Sequence, residues 1–584
     1  MARDETPDFC LQENVAEDAG RRRLILGAAA VLGGAATAAA LPPTAAAAQK
    51  ASVAGISPGN GPSMIALADK AVVATDSGQV AGYIRKGIFT FKGIPYGDDT
   101  SGAARFKPSQ KAKPWTGVRS SMQYGSVCPQ PERRGWKNDE EAWMFSWDDG
   151  APGEDCLRVN VWSAGINDNK KRPVMVWLHG GGYTAGSGQE LRSYDGENLA
   201  RKGVVLVSLN HRLNVFGHLD LSAYGPEYAQ SGNVGMLDIV LALEWVRDNI
   251  PKFGGDPGCV TVFGQSGGGG KVCTLTTMPA AEGLFHRAIV QSGSLGQFRK
   301  PEDAAKTTQA FLKQLNIDTS SNDHSAIARL HELPWHEIEA AAVVATTPTA
   351  GLPRLINFRH TANLLGWSPV LDGKVVTSDA FPDTPDRVKK IPLLVGTVMN
   401  EFVTATNHPE YWEWTDADLQ SHAQEAMPQQ AAATIATVKE MYPDAKPFQQ
   451  WSIIAVANVR GAALDQATSK AAAGGAPAYV YYFTWQAPVL DGRPMAFHCA
   501  ELAFCFDNAV RCENMTGRSP EAQALADKVS DAWIHFARTG DPNHPGLPHW
   551  PAFNAKDKST MVFDNTCVAR NNLDDKLQTI VSQA

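Results

Sequence analysis

The sequence predicts an α/β protein, with a mostly parallel central sheet, helices on both faces, an antiparallel N-terminal meander and helical insertions. Three observations carry that reading. Pro173–Leu178 (PVMVWL) and Val204–Leu209 (VVLVSL) are continuous apolar runs, as strands covered on both faces require. Ile239, Leu243, Val246 and Ile250 then recur at helical spacing and stop before Gly254-Gly255-Asp256-Pro257. Cys259–Phe263 is a further apolar run that breaks at glycine and passes into a second helix. Strand, helix, strand, turn and helix form the repeat of a parallel sheet with right-handed crossovers.

Taken in order, the chain opens on a leader over 1–48. Arg21-Arg22-Arg23-Leu24-Ile25 precedes an Ala/Gly-rich apolar run, Pro42-Pro43 and an alanine tract ending at Ala48. These read as the three regions of a twin-arginine-type export signal, which places the mature protein in the periplasm or outside the cell. Alanine and glycine are weakly hydrophobic and no basic stop-transfer cluster follows closely, so no stable membrane anchor is expected after cleavage. The remainder, 49–584, is read as a single catalytic domain. Ala71–Thr75 and Gln79–Ile84 flank Asp76-Ser77-Gly78 as a hairpin, and a third strand ends near Phe91. Later strands are expected at Ala288–Gln291, Pro392–Val398 and Ala478–Thr484. The stretches at about 299–386 and 404–475 are amphipathic and lack convincing strands, so they are read as insertions that cap the sheet.

Composition narrows the function. The 584 residues carry a net charge of −8, and residues 1–48 hold four Arg against six Asp or Glu, leaving about −6 for the rest. There is no basic field for nucleic acid. Nine cysteines without a C-x-x-C pair, and no H-E-x-x-H, give no sign of a metal or cofactor. Cys128 and Cys156 bracket a polar loop containing Trp136, Trp143 and Trp147. In an exported protein the two are expected to pair, and closing a loop of about 28 residues contributes about 3 to 4 kcal/mol. Trp147, nearest the pinned end, is a candidate substrate wall, as is Tyr183.

The chemistry centres on Gly264-Gln265-Ser266-Gly267-Gly268, a G-x-S-x-G turn between strand and helix. Such a turn holds a serine in a strained conformation clear of the sheet. Gly270-Lys271 imitates the end of a phosphate loop, but Gln265 replaces its first glycine and Val272 its Ser/Thr. A serine nucleophile needs a base, and the base a third group that fixes its tautomer. In the hydrolase chain order, serine then acid then histidine, Glu401 follows the strand ending near Val398 and His498 follows the strand ending near Thr484. Among the other histidines, His535 lies mid-helix, His544 and His549 lie in a Pro-rich loop, and most of the rest precede any late strand. A developing oxyanion also needs preorganised donors, and the N–H groups of Gly181, Gly182 and Gly267 are assigned to it.

With these residues in hand, the chain resembles the type-B carboxylesterases, the family of cholinesterases and bacterial nitrobenzyl-type esterases. The resemblance spans about 80–551. It rests on Phe91-x-Gly93-Ile94-Pro95-Tyr96, Glu154-Asp155-Cys156-Leu157, His179-Gly-Gly-Gly-Tyr183, Asn210-His-Arg212-Leu213, Phe253-Gly-Gly-Asp-Pro257, the serine turn, Gln291-Ser292-Gly293-Ser294 and Pro369-Val-Leu-Asp-Gly373. It implies an α/β-hydrolase fold, a Ser266–His498–Glu401 triad, a Cys128–Cys156 bond, and support of the buried acid by Ser292. It also implies a small-molecule ester substrate and no cofactor. The chain departs from the family at Asn400-Glu401-Phe402, at Gly267 where Ala is usual, and at Cys499. The family's second disulfide has no clear counterpart, Cys512 with Cys567 being one pairing. Two other readings use the same residues: a non-catalytic binding module, and cleavage of amides or carbamates.

Overall fold

Twelve strands pair into one sheet whose middle is entirely parallel. The computed structural model describes residues 63–131, 139–318, 324–346, 366–381 and 386–583; the leader read over 1–48 and Trp136 lie outside them. In chain order the strands are β1 (Met64–Ile65), β2 (Val72–Ala74), β3 (Gln79–Ala81), β4 (Tyr83–Arg85), β5 (Ile88–Pro95), β6 (Val118–Ser120), β7 (Arg158–Ser163) and β8 (Arg172–Leu178). They continue as β9 (Val205–Leu209), β10 (Gly255–Gln265), β11 (Arg287–Gln291), β12 (Leu393–Val398), β13 (Ala478–Phe483), β14 (Thr560–Phe563) and β15 (Val568–Arg570). The sheet runs β1-β4-β5-β7-β9-β8-β10-β11-β12-β13-β14-β15, and β2, β3 and β6 form a small separate sheet. Strands β9 through β14 of that order pair in parallel, while the β1 end and β15 are antiparallel.

The continuous apolar runs follow from burial on both faces. Val174, Val176 and Leu178 of β8 enter one core with Ile239, Leu243 and Val246 of the helix Val234–Asn249. Met175 and Trp177, pointing the other way, enter a second core with Trp533 and Phe536 of the helix Pro520–Thr539. A strand read on both sides by apolar neighbours has no polar face to alternate with.

Helices fill the stretches between the late strands. Pro301–Gln314 and Trp335–Thr346 stand between β11 and β12, and four helices from Asp416 to Ala473 stand between β12 and β13. The second group has its own core, in which Leu419, Val438, Phe448 and Ile454 meet Met399 and Tyr482 at the sheet. That packing fixes the chain just beyond β12, where Glu401 sits.

Candidate active site

The serine turn is built by close backbone contact. Ser266 takes φ 57° and ψ −127° between the end of β10 and the helix Gly267–Thr277, a conformation that costs energy for any residue with a Cβ. Its N–H donates to Gln291 O at 2.8 Å. Between Val260 and Leu275 it alone is not buried. The glycines around it are required by neighbouring backbone. A Cβ on Gly268 would lie 2.0 Å from Leu178 O, one on Gly267 2.3 Å from Gly182 N, and one on Gly269 2.8 Å from Gly293 Cα. The turn is thus wedged between the end of β8, the 180–182 loop and the turn after β11.

The loop His179–Tyr183 leaves β8 with three successive positive φ values: Gly181 at 85°, Gly182 at 60° and Tyr183 at 65°. Gly181 and Gly182 are partly exposed, whereas Tyr183 is buried, with its hydroxyl 3.0 Å from Thr274 Oγ1. The fully buried Lys271 donates from Nζ to His179 O at 2.8 Å.

Glu401 and His498 come from the next two strand ends. Glu401 (φ 44°) follows β12 and forms an isolated bridge with Phe497, and His498 N–H donates to Glu401 O at 2.7 Å. Backbone pairing therefore fixes the two side chains relative to each other. His498 Nδ1 lies 2.5 Å from Glu401 Oε2, and the other carboxylate oxygen accepts from Val398 N–H at 3.1 Å. Phe402 lays its ring over the imidazole, 3.8 Å between centroids. Gln265, the residue before the serine, places Nε2 3.1 Å from His498 Nε2 and accepts from the Cys499 thiol at 3.1 Å. The serine turn, the acid and the histidine thus converge at one place.

Three expectations need correction. The Ser292 hydroxyl is buried and has no hydrogen-bond partner among the described residues, and the contacts on the Glu401 carboxylate come from Val398 N–H and His498. Cys128 and Cys156 are both buried free thiols, and the Cys128 sulfur accepts from Leu213 N–H at 3.2 Å. Their loop is closed without a covalent bond. Val127 N–H donates to Ala151 O at 3.0 Å, Gly153 N–H to Val127 O at 2.9 Å, and Arg105 clasps both oxygens of Glu154 at 2.5 and 2.6 Å. Cys512 and Cys567 are likewise free. Tyr183 is enclosed and braces the glycine loop, leaving no face for substrate. Trp147 is half-buried, donates to Asp149 at 2.7 Å, and stands edge-on to Phe145, which meets Phe497.

Two buried ionisable groups lie close by. Burial pushes the Lys271 pKa down to about 7. Burial, with the charge of Glu401 adding to it, pushes Glu501 up to about 8; its carboxyl accepts from Gln291 at 3.2 Å and from Tyr481 at 3.4 Å. Burial and then the nearby Lys271 charge hold His179 and His211 well below the usual histidine range. Gln265, Lys271, Phe402 and Glu501 were not singled out by sequence reasoning as parts of the site. Gln265 was the findable one, because it adjoins the serine. A cavity of about 530 Å³ lined by Arg119, Tyr124, Asp148, Arg158 and Gln189 includes none of these residues.

The model of the Carboxylesterase family matches residues 69–580. The chain belongs to that family. Para-nitrobenzyl esterase of Bacillus subtilis (strain 168) is 34% identical over 515 residues, covering 86% of this chain and 96% of its own. Phenmedipham hydrolase of Pseudarthrobacter oxydans is 31% identical, covering 84% and 94%. Among solved structures, an esterase from Clostridium hathewayi superposes with a TM-score of 0.75 at 35% identity, over 88% of this chain and 99% of its own. A carboxylesterase of Geobacillus stearothermophilus gives 0.71 at 34%, over 88% and 100%. The protein is a carboxylic ester hydrolase with an α/β-hydrolase fold.

Proposed function

We propose that this carboxylesterase works through an acyl-enzyme formed on Ser266. Ser266 Oγ attacks the ester carbonyl while His498 Nε2 takes its proton, and the same proton is then given to the leaving alcohol. Glu401 accepts from His498 Nδ1–H, which fixes the tautomer that leaves Nε2 basic, and stabilises the imidazolium. The N–H groups of Gly181, Gly182 and Gly267 receive the oxyanion. Water activated by His498 then releases the acid. The observation that carries this reading is the 2.5 Å contact between Glu401 and His498, with that histidine set against the residue preceding Ser266. Trp147 is retained as a candidate wall, and Tyr183 is reassigned to support of the glycine loop.

The substrate is a small-molecule ester, and residues 1–48 direct export. No helix among the described residues is long and apolar enough to cross a membrane. A rapid-mixing experiment with p-nitrophenyl acetate tests the mechanism. A burst of p-nitrophenol of one equivalent per Ser266 is expected when deacylation is slower than acylation, and Ser266→Ala should show neither burst nor turnover. Turnover in Ser266→Ala at the wild-type rate would remove the serine from the mechanism.

A further inference from the structure

The helix that begins at Gly267 holds both ends of the glycine loop. Lys271 and Thr274, one turn apart and so on one face of it, reach His179 O at 2.8 Å and the Tyr183 hydroxyl at 3.0 Å. His179 and Tyr183 flank Gly180, Gly181 and Gly182 directly. The two contacts therefore bracket the segment assigned two of the oxyanion donors, while Gly267, assigned the third, is the first residue of the same helix.

We propose that Lys271 and Thr274 are positioning residues that set the oxyanion hole by fixing the 180–182 loop to the nucleophile-bearing helix. The inference rests on the reading of the glycine N–H groups as oxyanion donors.

A lysine is an expensive way to fill this space. Lys271 is fully buried and no carboxylate forms an ion pair with it among the described residues. Glu190 and Cys128 influence its charge from further off. Three buried histidines feel that charge in turn. His179, His211 and His218 each place Nδ1 on a backbone carbonyl, at 3.0, 2.8 and 3.2 Å, and their Nε2 atoms have no partner among the described residues. Burying an ammonium among neutral histidines is unfavourable, and what it gains is one charged hydrogen bond to the first carbonyl of the loop. A donor set split between a loop and a helix must be held to within about 0.5 Å of the productive geometry, and these two contacts span that gap.

The test compares Lys271→Met and Thr274→Val with the wild type on p-nitrophenyl butyrate. It also measures inhibition by an aryl trifluoromethyl ketone, whose serine adduct carries an oxyanion. Active sites are counted by fluorophosphonate labelling. The expected result is a fall in kcat per labelled site of roughly 10- to 100-fold in each variant, with KM within about twofold. Affinity for the ketone should fall in the same proportion. A purely structural role would lower the fraction of active sites or the Tm but leave kcat per site and ketone affinity unchanged, and that result in either variant overturns the proposal. Thr274→Val is nearly isosteric, so it keeps the test open if Lys271→Met does not fold. A wild-type protein that neither hydrolyses the ester nor binds the ketone contradicts the parent reading instead.

Discussion

Glu401 Oε2 and His498 Nδ1 are 2.5 Å apart, and the same two residues are joined through their backbones by the His498 N–H donating to Glu401 O. The side-chain contact is therefore imposed by the chain and does not depend on a chosen rotamer alone. Glu401→Gln keeps the shape but offers Nδ1 an amide in place of a carboxylate, so the imidazole loses its fixed tautomer and its counter-charge. By the behaviour of serine triads in general, kcat should fall about 10⁴-fold with little change in KM. Steady-state kinetics check it. A loss of less than about tenfold would mean that the contact is structural only.

The space around Gly267 is already taken. A Cβ there would stand 2.3 Å from Gly182 N, closer than real contacts allow. Gly267→Ala should push the glycine loop off the serine turn. We expect kcat to drop roughly tenfold or more, since that loop is assigned oxyanion donors. Unchanged kinetics would show that the loop relaxes freely.

Arg212 and Asp238 form a buried ion pair, with guanidinium bonds of 2.8 and 2.7 Å and the Arg212 N–H on the same carboxylate at 3.0 Å. It ties the end of β9 to the helix Val234–Asn249. Asp238→Ala leaves a buried guanidinium without its partner, so a loss of about 3 to 5 kcal/mol is expected. Urea unfolding measures it as a shift in midpoint. A change under about 1 kcal/mol would contradict the packing described.

Two buried groups give stability an opposed pH dependence. Glu501 is raised from 4.5 to about 8, so the unfolded chain gives up this proton first. Its favourable contribution is complete below about pH 4.5 and is lost as pH rises toward 8. Lys271 is lowered from 10.5 to about 7, so the unfolded chain binds its proton more tightly. Its penalty is full below pH 7 and is relieved as pH rises toward 10.5. Thermal unfolding of Glu501→Gln should decline less between pH 5 and 8 than the wild type, and Lys271→Met should lack the recovery above pH 7. Parallel curves for variant and wild type would contradict these assignments.

The parallel sheet, and the placing of Glu401 and His498 just beyond neighbouring strands, were legible because each rests on a local pattern. Apolar runs mark strands buried on both faces, and glycines mark backbone in contact with backbone. Strand β7 was not found, because Arg158 and Asn160 interrupt its apolar run, although Asn160 is buried and hydrogen-bonded to Ser208. The Cys128–Cys156 bond was expected from spacing and compartment. Sequence carries no trace of the Arg105 contact and the backbone bridge that close the loop without it. Lys271 was noticed only as the tail of a failed phosphate-loop match. Its role beneath the glycine loop depends on the 2.8 Å contact with His179 O, a tertiary relationship that no spacing rule encodes.

The most direct test of the proposed mechanism is fluorophosphonate labelling of the full-length protein, followed by peptide mapping and an ester hydrolysis assay on the same sample. The account predicts one adduct per chain, located on Ser266, with activity lost in proportion to labelling. An adduct on another residue, or full turnover by a chain modified at Ser266, would contradict it.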